Sequence, residues 1–92
     1  MKERAAVSIA DLRGLGPKSQ EMLARAGITT VDELRRLGSV AAYSKVKRLS
    51  GNVSLNLLWA IESALTGVPW REVARRHRTS LLLALEEHER RG

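Results

Sequence analysis

Apolar residues in this chain recur at helical spacing in short runs, and each run ends at a glycine, a proline or a small polar cluster. Ser8-Ile9-Ala10-Asp11 reads as a variant capping box, which predicts a first helix over Ile9 to Arg13. Gly14-Leu15-Gly16 then turns the chain, and Pro17 stands where a first helical residue wastes no amide. A second helix over Lys18 to Ala26 places Met22, Leu23 and Ala26 on one face, and Gly27 stops it. Thr30-Val31-Asp32-Glu33 is a complete capping box, followed by Val31, Leu34 and Leu37 on one stripe, with Gly38 closing the helix. Ser39 is the expected cap of a fourth helix carrying Val40, Tyr43, Val46 and Leu49, before a loop at Ser50-Gly51-Asn52.

Ser54 opens a fifth helix, Leu55 to Thr66, ended by Gly67. It is apolar on most sides, with Leu57, Leu58, Trp59 and Ile61 among its residues, and such a helix sits at the centre of its domain. Pro69-Trp70 begins a last helical region to about Arg90, with a break expected near Thr79-Ser80. No segment shows the strict alternation of a strand, and no repeat, heptad seam or low-complexity tract is present. The expected fold is all-α: a compact bundle of five or six short helices with a helix-hairpin-helix-like, sterile-alpha-motif-like element at Asp11 to Ala26. Residues 1 to 7 read as a flexible leader and residues 8 to 92 as one domain.

Composition narrows the functional classes. The chain has 92 residues, 43% of them hydrophobic, which suits one modest core. Phe is absent, so aliphatic residues and two Trp supply that core. Cysteine is absent too, which removes disulfides and thiolate metal sites and fits a cytoplasmic setting. No run is long and apolar enough for a signal peptide or a membrane span. The net charge of +6 points to an anionic partner, most often nucleic acid.

That charge gives the hairpin its interest. Glycines permit a sharp bend and a close backbone approach, and the following helix then directs free amides and its positive dipole end outward. A phosphate can dock there, with Arg13, Gly14, Gly16, Lys18 and Ser19 as the candidate contacts and Leu15 plugged into the core. The other reading is a hairpin that only shapes the fold. In PWREVARRHR, helical spacing gathers Trp70, Val73, Ala74 and His77 on one face and Arg71, Arg75 and Arg78 on another, with Arg76 beside them. This arginine ridge suits a phosphate backbone, an acidic protein or plain solvent. Lys45, Lys47 and Arg48 form a third basic cluster. Exposed tryptophans can stack on single-stranded bases, but Trp59 and Trp70 both stand among leucines and are expected in the core, and His77 at its edge. His77 and His88 have no third ligand at useful spacing, so no metal is expected. No serine or threonine has a base arranged beside it, so neither catalysis nor a cofactor is expected.

Three phrases then follow in order: LRGLGPKSQEMLARAGITTVDELRRLG, AAYSKVK and VSLNLLWAIESALTGVPWREV. Together they resemble the C-terminal domain of the TfoX/Sxy family, regulators of bacterial DNA uptake, over about residues 8 to 76. The resemblance implies a helical, sterile-alpha-motif-like fold and a non-enzymatic role in switching on competence genes. It implies DNA and a transcription factor such as the cyclic-AMP receptor protein as partners. It carries Gly14, Leu15, Gly16, Pro17, Lys18 and Ser19 over as the hairpin, and Ser54, Leu55, Asn56 and Leu58 as the start of the central helix. Full-length members carry an additional N-terminal domain, so the sequence is expected to be either an excised domain or a stand-alone version, and MKERAAVS, which reads as a natural start, favours the second. The competing reading is a protein-interaction module with no nucleic-acid contact.

Overall fold

The structure is a computed structural model that describes Ile9 and residues 15 to 91. Among the described residues the chain is all-α, with α1 at Pro17–Arg25, α2 at Val31–Ser50, α3 at Leu55–Thr66, α4 at Trp70–Arg76 and α5 at Arg78–Arg91. The expected leader and the expected first helix, Ile9 aside, lie outside the described residues. Ile9 itself is buried, and its amide donates to the carbonyl of Thr29.

α1 ends in a Schellman arrangement: Ile28 N–H donates to Leu23 O and Gly27 N–H to Ala24 O, both at 2.9 Å. Leu23 and Ile28, the two residues this motif brings together, are both buried. α2 opens on the full capping box at Thr30 and Glu33. Its 20 residues form two arms rather than one rod, because Gly38 has φ 83° and ψ 164°, a conformation essentially reserved to glycine. The expected stop at Gly38 is thus a joint with no loop.

Ser39 departs from its expected role as a cap. It is buried, and its hydroxyl donates to Glu62 Oε1 at 2.6 Å, tying the joint to α3. α3 has the expected bounds and is central, packing against α2 on one side and α4 on another. Ser54 Oγ accepts from the Asn56 amide at its start. Tyr43, fully enclosed, donates its hydroxyl to Val53 O at 2.7 Å and so anchors the loop between α2 and α3. Burial pushes the Tyr43 phenol up in pKa. α1 and α5 also pack on α2.

The apolar stripes end sooner than their spacing implies. Leu37, before the joint, and Leu49, in the last turn of α2, are exposed. The final break falls at His77, two residues before the expected place, and His77 is exposed rather than at the core edge.

Candidate nucleic-acid interface

The start of α1 is held from below and open from above. Leu15 is only 5% exposed, and its carbonyl accepts from Gln20 Nε2 at 2.9 Å. The Gly16 carbonyl accepts from the Gln20 amide at 3.0 Å. Gln20 is therefore engaged with carbonyls and leaves the first-turn amides alone. Among the described residues no side chain caps this helix, no acid stands in its first turn, and Pro17 occupies the first position. The Ser19 amide finds no acceptor among the described residues. Lys18 is exposed and has no ion-pair partner among the described residues. Arg13 and Gly14, the other half of the expected cradle, lie outside the described residues.

Gly16 has φ −77° and ψ 173°, angles open to any residue, so the chain does not use glycine's left-handed region at this position. A Cβ built there meets nothing within 4 Å. Neither the conformation nor any atom of the described residues requires glycine at position 16. What remains for a bare Cα is a close approach from outside.

The remaining cations divide by pairing. Arg25 pairs with Glu21, Arg76 with Glu72 at 3.1 Å, Lys47 with Glu89 across to α5, and Arg90 and Arg91 with the glutamates of their own helix. Arg71, Arg75 and Arg78 are exposed and have no such partner among the described residues. They do not form one continuous ridge: Arg71 and Arg75 lie a turn apart on α4, while Arg78 begins α5 beyond the break at His77. The expected cluster of Lys45, Lys47 and Arg48 is partly neutralised by Glu89.

Beside the open end of α1 lies a groove of about 490 Å³. Lys18, Ser19 and Met22 form one wall, Asn56 and Leu57 of α3 another, and Trp70 the rim. Here the sequence reading of the tryptophans divides. Trp59 is buried at 4% exposure, as expected, but Trp70 is 50% exposed and stands outside the core. Trp70 is the first residue of a seven-residue helix, so only Val73, one turn later, reaches the interior. The Pro69-Trp70 start was the available signal, since it places Trp70 ahead of any complete turn.

A model of the TfoX C-terminal domain matches residues 5–85. The chain belongs to that family. The match begins earlier and runs further than the motifs that carry the resemblance, taking in most of α5. Two solved structures share the fold of this TfoX C-terminal domain. One is the triclinic crystal form of an uncharacterized protein from Listeria monocytogenes, 25% identical, with a TM-score of 0.76 over 90% of this chain and 94% of that one. The other is a tetragonal form of a Listeria monocytogenes protein of unknown function, 26% identical, with a TM-score of 0.70 over 84% of this chain and 99% of that one. No curated protein matches the chain. Among the described residues, no group of three or more His, Cys, Asp or Glu side chains converges as metal ligands. No described helix of this TfoX domain is long and apolar enough to cross a membrane.

Proposed function

We propose that this TfoX C-terminal domain is a non-enzymatic regulatory module of bacterial natural competence that meets the DNA backbone at the start of α1. A phosphate oxygen accepts from the Ser19 amide, the bare Gly16 lets it approach, and the Lys18 ammonium adds charge. Arg71, Arg75 and Arg78 extend the contact along the same or the neighbouring phosphates, and Arg13 and Gly14, outside the described residues, are further candidate contacts. A transcription factor on the same DNA, such as the cyclic-AMP receptor protein, is the protein partner in this reading. The observation that carries it is the start of α1, uncapped and acid-free among the described residues, with a glycine that no described neighbour requires.

The test is a salt titration of duplex binding by wild type and Lys18→Ala. The substitution is expected to weaken all duplexes alike and to lower the slope of log affinity against log salt by about 1. An unchanged slope removes Lys18 from the phosphate contacts. Equal affinity for an acidic polypeptide reduces the interaction to net charge. Binding to a protein that tolerates salt and collapses on truncation of exposed apolar residues identifies an interaction module instead.

A further inference from the structure

The groove beside Lys18 has a composition that open helix ends do not explain. We infer that it is a stacking site for one unpaired nucleobase of a single strand, with the base against the Trp70 indole and the adjoining phosphate at Lys18. This rests on the DNA reading above and names the form of DNA the site prefers.

Four observations carry it. Trp70 is half exposed at the rim and presents a large flat ring where the fold gains little from burying it. Aromatic faces of this kind hold bases of any sequence. Among the described residues Lys18 is the one charged residue in the lining and no carboxylate accompanies it, so the groove favours an anion. Ser19, Asn52 and Asn56 bring neutral hydroxyl and amide groups, and these side chains have no partner among the described residues. An apolar peptide side chain seated here would cover those amides without satisfying them, at a cost in free energy. A base brings donors and acceptors on its edges and a flat apolar face for Trp70. The volume, about 490 Å³, falls within the range of small-molecule sites and accommodates a nucleoside unit, with Met22 and Leu57 as apolar lining.

The burial of Trp59 makes Trp70 the accessible fluorophore, so the experiment can read the site directly. Wild type is titrated with an oligothymidylate of about 10 nucleotides, with a duplex of the same length, and with polyglutamate. The expected result is quenching of the exposed tryptophan by the oligothymidylate and not by the other two. Trp70→Ala should lower single-strand affinity about tenfold and duplex affinity less than about twofold, while Trp70→Phe keeps most of the single-strand binding. Thermal unfolding of both variants checks that the fold is intact, as the exposed position of Trp70 leads one to expect. Duplex binding with a normal salt slope but no quenching by the oligothymidylate overturns the stacking site and leaves the DNA reading standing. Equal losses on both DNA forms in Trp70→Ala also overturn it. Failure to bind either DNA form overturns both. Quenching by polyglutamate equal to that by the oligothymidylate shows a charge effect at Lys18 without stacking and rejects the proposal.

Discussion

Two helices of this domain begin within fifteen residues of each other and solve the same problem in opposite ways. At the start of α2, Thr30 Oγ1 accepts from the Glu33 amide at 3.2 Å, while Glu33 Oε1 accepts from the amides of Thr29 and Thr30 at 2.9 and 3.2 Å. Asp32 and Glu33 add negative charge to the positive end of the helix. The start of α1 has Gly16, Pro17 and Lys18 in place of all this. One end is saturated by its own chain. The other presents amides and a cation to whatever lies outside. The difference teaches that an open helix end in a small domain is a choice of residues and not a limit of the fold, because a complete cap stands a few residues away.

The largest expected effect comes from breaking the support under the open end. Leu15→Ala removes a buried side chain that seats the turn, and should cost about 2–5 kcal/mol, read as a lower urea midpoint. Duplex binding should fall with the fraction folded and beyond it, since the amides lose their fixed direction. A sharper contrast is to make the open end resemble the closed one. Gly16→Asp supplies an acidic cap at a backbone conformation that accepts it, and should raise stability by a few tenths of a kcal/mol. The same carboxylate occupies the phosphate position, so duplex affinity should drop about tenfold with a shallower salt slope. Unchanged DNA binding in this variant would remove the start of α1 from the interface.

Opening the closed end is the converse. Thr30→Ala should cost about 1 kcal/mol of stability and leave DNA affinity per folded molecule unaltered. The smallest effect is one of pH. Backbone donation from Thr29, and then from Thr30, holds the Glu33 carboxyl below the usual carboxylate range. Its contribution to stability is therefore complete above that range and is lost as pH falls through the depressed pKa. Protection of the Thr29 and Thr30 amides, taken relative to the intrinsic exchange rate at each pH, should fall on acidification through that window, whereas the Ser19 amide, with no carboxylate beside it among the described residues, should show only the intrinsic pH dependence.

Local signals in the sequence specify much of this. The capping box at Thr30 and Glu33, the bounds of α3 and the plug at Leu15 follow from residue type and spacing alone. Ser39 shows where such reasoning stops: a serine after a glycine looks like a cap, but here it faces α3, and Glu62, 23 residues away in sequence, accepts its hydrogen bond. Trp70 shows the same limit. Helical spacing placed it with Val73, but spacing assigns a face only when the helix continues in both directions, and this one begins at Trp70. Gly16 shows a related limit: glycine permits a left-handed backbone, and only the angles reveal that position 16 does not use it. The groove was invisible for a further reason. Its walls come from α1 and α3, and nothing in either segment announces the other.

The joint at Gly38 has a consequence for how this family can vary in length. Since a single residue separates the two arms of α2, inserting or deleting one amino acid there would turn the second arm by about 100° about its axis. Tyr43 and Val46 would swing out to water and Ser39 would lose Glu62. The loop at Gly51 and Asn52 imposes no such phase on its neighbours, so natural length changes should accumulate there and be absent at the joint.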